Sequence, residues 1–451
     1  MPATPRIALQ FNYDWDALGY ARHAAHWRFD HAGFDLFSFP SNARLVGFDL
    51  RRFAAAQAQR GRRRGWVGVA SQHEQFGALA AALTAEALGL PGTRPEAVLA
   101  AQHKLYARQV LDKVAPEANL GYAPLDAVYG EDIPPGLGYP RFVKPVKAAF
   151  SVLARTVRDH ADLQAHTRFG RRELWVIRRL VEPFEQVMRE RLPQAGTAHR
   201  MMLEDPVPAH TGQFNLDGWV FDGRAQALGV VDAVMYPGTQ SFMRWEFPGR
   251  LPAAVQARAL DVAQRFLTAI GFTHGLFNME FFHDPASGRL SVIEFNPRLA
   301  SQFSDLYLKV LGLDPHALSL ALATGQDPAT VPRVEPVAGM ASSLVYRAFP
   351  GEPAPTMPTP WQVARLRREF PDALLFCYPR SGHALERDYK WLGSWRYGIL
   401  HLQGRDEHDL RERCLRASHL LGWRAPYADQ WTAPPMAPAW SMPASTTGVP
   451  R

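Results

Sequence analysis

The chain has 451 residues, 47% of them hydrophobic and 21% charged, which is enough material for two to four structural units with buried cores. No run of eighteen apolar residues occurs, so no membrane span is expected, and the opening MPATPRIALQFNYDWD lacks the apolar stretch and small-residue cleavage site of a secretory signal. The two cysteines, Cys377 and Cys414, fit neither a CxxC nor a metal-ligand spacing, and the net charge of +7 is supplied largely by arginine; a cytoplasmic, disulfide-free protein with no membrane or nucleic-acid partner is expected.

The first segment alternates strand and helix signals. Residues 6–10 read as a strand, 17–29 as a helix, 34–39 as a second short strand and 65–70 as a buried strand. The run RGRRR at 60–64 has no interleaved aromatics and reads as a solvated loop. Ser71 and Glu74 have capping-box spacing, which assigns them to a helix N-terminus rather than to a cleft. An alanine-rich helix over 76–88 follows, stopped at Gly89. This alternation predicts a parallel α/β domain over residues 1–115. No GxGxxG follows its first strand, which argues against a dinucleotide-dependent oxidoreductase.

A helix is expected from residue 96 to about 115, then a Pro- and Gly-rich bend at 132–140 and a strand at 141–146. Residues 159–193 read as one long charged helix or a helical pair. Strands are expected at 200–204, 213–221 and 225–234, with turns at Asp222-Gly223 and Tyr236-Pro237-Gly238. Pro252 opens a helix whose Val255, Ala259, Val262, Phe266 and Ile270 form a core stripe.

The helix delivers the chain into a hairpin, Leu276-Phe277-Asn278-Met279-Glu280-Phe281-Phe282 returning as Leu290-Ser291-Val292-Ile293-Glu294-Phe295-Asn296-Pro297-Arg298. Alternation places Phe277, Met279 and Phe281 on one face and Asn278 and Glu280 on the other, with Glu294 and Asn296 sharing a face opposite Ile293 and Phe295. Folding about Ser287 opposes Glu280 to Glu294 and Asn278 to Asn296. Like charges opposed across a ladder are destabilising, so a positive group belongs between them. A hard divalent cation held by carboxylate and amide oxygens, with a nucleotide's phosphates completing its shell, fits that requirement. A wet surface hairpin with both carboxylates splayed into solvent is the plainer alternative.

Beyond 325, strand signals at 341–346 and 373–378 and a helix at 407–421 mark a C-terminal α+β region over 326–430. Its cluster of Tyr389, Trp391, Trp395 and Tyr397 is expected to serve packing, with a cap on the site or a dimer contact as alternatives. The Pro- and Ser/Thr-rich residues 431–451 are expected to be disordered.

Over residues 65–325 the sequence resembles the ATP-grasp superfamily, the signal being the order of its elements with E…EFNPR last. The resemblance implies an α/β and α+β chain: a Rossmann-like domain before the ATP-grasp domain (116–325), whose two subdomains hold the nucleotide between them. It implies ATP and Mg2+ as cofactors, with Mn2+ as a substitute, and Glu280, Glu294 and Asn296 as metal ligands. Lys104 matches the lysine before the first nucleotide-binding subdomain and Lys144, in FVKPV, the lysine reaching the α and β phosphates. Glu204 resembles the adenine hinge, Gln213 is the nearest equivalent of the ribose contact, and Arg298 is implied to grip phosphate or a substrate carboxylate. The turn after Lys144, Lys147-Ala148-Ala149-Phe150-Ser151-Val152, departs from the family in lacking glycine; Ser151 is left to offer its hydroxyl and N–H to phosphate. The implied activity is ADP-forming ligation of a small carboxylate to an amine through an acyl phosphate, with a homodimer as an option. A kinase-like phosphotransferase and a non-catalytic nucleotide-binding protein are the alternatives. Ser301 to Ser304, following Arg298, are expected to border the acceptor pocket.

Overall fold

Three sheets organise the residues that the computed structural model describes, 4–36, 41–148 and 153–431. The first is parallel, in the order β2-β1-β3, from β1 (Arg6–Gln10), β2 (Arg28–Ala32) and β3 (Trp66–Ala70). Its helices are α1 (Asp14–Ala21), α2 (Leu50–Arg64) and α3 (Gly77–Leu88). The helix expected over 17–29 is therefore shorter and earlier, and the second strand lies at 28–32; of the expected strand over 34–39, residues 37–39 lie outside the described residues. The cause is Asp30. Its buried carboxylate accepts from Arg6, Arg64 and the Trp66 indole, so a polar stretch becomes a stable edge strand through donors supplied from elsewhere. The arginine run is the last turn of α2 rather than a loop, ended by Gly65 in the left-handed conformation.

The helix expected from residue 96 is two helices, α4 (Pro95–Gln102) and α5 (Lys104–Val114), broken at His103. The His103 imidazole accepts the Tyr106 N–H at 3.1 Å and so caps α5. The second sheet, antiparallel in the order β4-β7-β5-β6, contains β4 (Tyr122–Val128), β5 (Arg141–Pro145), β6 (Arg155–Val157) and β7 (Arg200–Glu204). A helical pair, α6 (His160–Thr167) and α7 (Arg171–Arg191), covers it, with Val181, Phe184 and Met188 of α7 in one core with Val143 and Leu203.

The third sheet has eight antiparallel strands in the order β12-β11-β8-β9-β10-β13-β15-β14. They are β8 (Gly212–Phe221), β9 (Arg224–Met235), β10 (Phe242–Phe247), β11 (Gly275–His283), β12 (Leu290–Asn296), β13 (Met340–Ala348), β14 (Leu374–Cys377) and β15 (Trp395–Gly404). Asp222 and Gly223, with φ of 48° and 76°, form the β8–β9 turn. Helix α8 (Ala253–Ala269) covers the apolar face of the β11–β12 hairpin, where Phe266 stacks on Phe295 at 3.8 Å. Each such phenylalanine contributes about 1.5–3 kcal/mol by burial, which fixes the hairpin's polar face on the other side.

Helices α9 (Ser304–Leu311), α10 (Pro315–Ala323), α11 (Pro360–Glu369), α12 (Gly382–Leu392) and α13 (Glu407–Leu421) complete the chain. Strands β13 to β15, from the expected C-terminal region, extend the third sheet from β10. Trp395 and Tyr397 are buried in a core with Tyr346 and Trp423, and Tyr389 packs against it; the side chain of Trp391 and the tail from 432 onward lie outside the described residues. Among the described residues no helix is long and apolar enough to cross a membrane.

Candidate active site

The register of the β11–β12 hairpin opposes Glu280 to Glu294 and Asn278 to Asn296, as alternation requires. One detail differs. A bulge after Glu280 pairs Phe281 with Val292, so Val292 enters the core and Ile293 does not. The bulge also turns backbone acceptors outward on an edge strand. The Ile293 carbonyl accepts from Lys144 Nζ at 3.1 Å and from Arg108 Nη2 at 3.0 Å, and the Val292 carbonyl from Arg108 Nη1 at 2.6 Å.

These contacts join the second sheet to the third across a cleft. Lys144, on β5, pairs with Glu204 at the end of β7 at 2.9 Å, and Arg108 of α5 donates to the same carboxylate at 2.8 Å. Burial opposes the Glu204 charge, but Arg108 and Lys144 outweigh it and hold the carboxyl below its ordinary range. Lys104, the first residue of α5, reaches Glu294 at 2.9 Å and the Ala148 carbonyl at 3.1 Å. Burial likewise opposes the Glu294 charge, and Lys104 and Lys144 hold its pKa down. Glu280 has the opposite fate: burial, then Glu294 and Glu74, push its pKa well above the carboxylate range. Its hydrogen-bond donor is Gln213 of β8, at 3.3 Å.

Asn296 donates to Asn278, and Asn278 to Asn215, in a buried amide chain behind the carboxylates. Arg298, just past β12, pairs with Glu74 at 2.6 Å and also feels Glu280. Lys104, Lys144, Glu204, Gln213, Glu280, Glu294, Asn296 and Arg298 thus occupy one cleft; Ser151 lies outside the described residues. The loop after Arg298 is tied down by Asp217, which accepts the Ala300 N–H and the Tyr307 hydroxyl. Ser301 accepts the Trp15 indole N–H, and Gln302 donates to Ser343.

The capping-box reading of Glu74 is overturned. Helix α3 starts at Gly77 with Phe76 as its cap, and Glu74 lies 6% exposed against Arg298. Its position was the available signal: ligands of parallel α/β sheets bind beyond the carboxyl ends of strands, and Glu74 follows β3 directly. Lys147 adds a further buried ammonium, 5.0 Å from the Phe184 ring centroid, with a pKa lowered to about 7 by burial. A wall of stacked rings borders the Arg298 end: Tyr13 lies 4.8 Å from His73 and 5.0 Å from Trp15.

Among the described residues no three His, Cys, Asp or Glu side chains are grouped to hold a metal unaided. The donor set nonetheless suits a hard divalent cation. Two opposed carboxylates and an amide supply oxygen, and burial, then Glu294 and Glu74, disfavour the charged form of Glu280, which a cation between the carboxylates would restore. A site of this kind would draw its remaining ligands from water and phosphate.

No family model matches the sequence. It is 28% identical over 267 residues to carnosine synthase 1 of Gallus gallus, a match covering 56% of this chain and 27% of that protein's length. The L-amino acid ligase of Bacillus licheniformis superposes with a TM-score of 0.65 at 14% identity, covering 92% of this chain and 97% of the other. The biotin carboxylase domain of Hydrogenobacter thermophilus 2-oxoglutarate carboxylase, solved with MgADP, ADP and bicarbonate, gives 0.57 at 11% identity, covering 92% and 89%.

Proposed function

Starting from the ATP-grasp fold that this chain has, we propose that it is a cytoplasmic, ADP-forming ligase that joins a small-molecule carboxylate to an amine. One observation carries the reading: Lys104 and Lys144, from two different elements, both close on β12, one on the Glu294 carboxylate and the other on the Ile293 carbonyl. That arrangement surrounds one space with two carboxylates and two ammonium groups, which is what a triphosphate with its cation needs.

In this reading Glu280, Glu294 and the Asn296 amide hold Mg2+, which when bound neutralises charge on the β and γ phosphates. Lys144 and Lys104 take the phosphate oxygens, exchanging their present carboxylate and carbonyl partners for the ligand, and Ser151 is assigned to the phosphate cover. Glu204 stands at the adenine end. Gln213 steadies Glu280 in this structure, so its assigned ribose contact requires the amide to leave that bond. Arg298 presents a planar fork to the reacting carboxylate or phosphate, and Glu74 fixes its orientation. The γ-phosphoryl group passes to the carboxylate oxygen to give an acyl phosphate, and the amine displaces inorganic phosphate to form the amide. The chain contributes position and electrostatics, so no Ser–His or Cys–His pair is required.

The test is incubation with ATP, Mg2+ and pooled carboxylates and amines, reading ADP, phosphate and product mass. ADP formed in step with a condensed product is expected. A phosphorylated product without condensation would select a phosphotransferase, and ATP binding without turnover over a broad pool would select a non-catalytic protein.

A further inference from the structure

Lys104 and Lys144 both have partners on β12, but Lys147, which follows them into the cleft, has none. It is 2% exposed, and among the described residues its ammonium makes neither a hydrogen bond nor an ion pair. Helix α7 offers it the Phe184 ring, 5.0 Å away, a contact that replaces little of the lost hydration. The charges that face it are mixed. Glu74, from the loop after β3, and Glu294 of β12 favour its proton, while Lys104 of α5 and Arg298 oppose it, and His73 feels its charge in turn. Both carboxylates are already committed, Glu74 to Arg298 and Glu294 to Lys104. A primary amine buried without an acceptor and faced by two cations holds its proton weakly, and burial leads these causes in lowering its pKa to about 7.

Joining a carboxylate to an amine needs somewhere for a proton to go. An aliphatic amine stays protonated to about pH 10 and has no lone pair to attack with until that proton leaves. The groups at the Arg298 end are unequal as acceptors. Glu74 is held by Arg298, and His73 has its pKa lowered to about 3 by burial, Arg298 and Lys147, so it retains a proton poorly. We propose that Lys147 is the general base of the condensation, taking the proton of the incoming ammonium at the Arg298 end of the cleft. The proposal rests on the ligase reading and adds to it the group that readies the nucleophile. The lone pair of neutral Lys147 Nζ takes one proton from the substrate ammonium. The freed amine attacks the acyl carbon, a C–N bond forms, and the C–O bond to phosphate breaks with its electron pair going to the phosphate. The second N–H proton of the adduct departs with that phosphate, so the products are the amide, hydrogen phosphate and the Lys147 ammonium, which returns its proton to water when the products leave. The competing role is a third lysine for phosphate oxygens.

Hydroxylamine separates the two roles, because it is largely neutral near pH 7 and captures an acyl phosphate as the hydroxamate without help from a base. Wild type, Lys147→Met and Lys147→Arg are given ATP, Mg2+ and pooled small carboxylates, with either hydroxylamine or pooled primary amines, over a pH series. In the wild type, kcat for amide formation should rise with pH along a single-proton limb and then level. Both variants should lose amide formation on the order of 10²-fold at neutral pH, with the remainder climbing tenfold per pH unit toward the amine's own pKa. Hydroxamate formation and ATP affinity should stay within threefold of the wild type, which also reports folding. Arginine keeps a cation over Phe184 but cannot give up its proton, so it serves if the methionine variant fails to fold. Should neither variant fold, a wild-type rate that climbs without levelling up to the amine's own pKa overturns the proposal. Parallel loss of hydroxamate and amide would make Lys147 a phosphate-binding lysine and overturn it, as would an arginine variant that forms amide like the wild type. A wild type that forms neither product sinks the ligase reading and this proposal together, whereas both products unaffected in the variants sink this proposal alone.

Discussion

Glu280 and Glu294 are chemically identical residues facing each other across one ladder, yet their neighbours drive them apart. Lys104 and Lys144 stabilise the Glu294 charge, while burial and the two other carboxylates disfavour that of Glu280. The sign of the pH response follows. Glu280 titrates higher in the folded chain than its ordinary 4.5, so its contribution is fully present below that value and is lost as pH rises through the raised folded pKa. Glu294, with its depressed pKa, contributes only to acid sensitivity at lower pH. Without metal, the Glu280 contribution to the melting temperature should therefore decline as pH rises from 5 toward neutrality and beyond, against the opposite contributions of His103 and Lys147, whose depressed pKa values favour folding as pH rises. Glu280→Gln should flatten that decline, and Mg2+ with ATP should also flatten it; a pH series of thermal unfolding checks both. Under the ligase reading, Glu294→Ala should lower kcat for ADP formation on the order of 10²–10³-fold, measured by phosphate release. The opposition of these residues was legible because strand alternation has a period of two and the turn fixes its centre. Their separate titration was not, because it depends on lysines brought in from residues 104 and 144.

At the level of elements, a bulge and a break place the cationic side chains. The bulge at Ile293 turns the edge of β12 toward Arg108 and Lys144, and strict alternation along the strand could not foresee it. The break between α4 and α5 starts a helix at Lys104, aiming its side chain into the cleft instead of along a continuous rod. His103 caps this helix with a ring nitrogen that must be unprotonated to accept, and burial supplies that condition by lowering its pKa to about 4. His103→Ala should cost about 0.5–2 kcal/mol in denaturant unfolding and weaken ATP binding, and His103→Asn should restore most of both. In the sequence these helices read as one, since an apolar pattern runs through both and histidine is not a common cap. Glu74 was misassigned for a related reason. Ser71 and Glu74 satisfy the spacing of a local motif, and only the return of Arg298 from over two hundred residues away gives the carboxylate its partner.

In the molecule as a whole, the third sheet carries the carboxylate hairpin at one end and β13, β15 and β14 at the other, so the C-terminal strands share its framework. Strand β13 pairs with β10 on one side and β15 on the other, burying Leu344, Val345 and Tyr346. A chain ending at residue 330 would leave β10 as an exposed edge, and it should be recovered as aggregate in solubility and light-scattering measurements. A soluble monomeric fragment that binds ATP would contradict this. The alternating first domain and the strand-rich middle were legible from periodicity, while the continuation of one sheet through 340–404 was not. Antiparallel pairing between strands separated by long helical connections leaves no local trace, and β15 reads locally as an aromatic cluster. The central claim is that the opposed carboxylates hold the cation of a bound triphosphate. Calorimetry of ATP binding with and without Mg2+, on the wild type, Glu280→Ala and Glu294→Ala, with unfolding curves to establish folding, tests it most directly. The account predicts Mg2+-dependent binding in the wild type and loss of that dependence in both folded variants; folded variants that bind Mg2+ and ATP as the wild type does would contradict it.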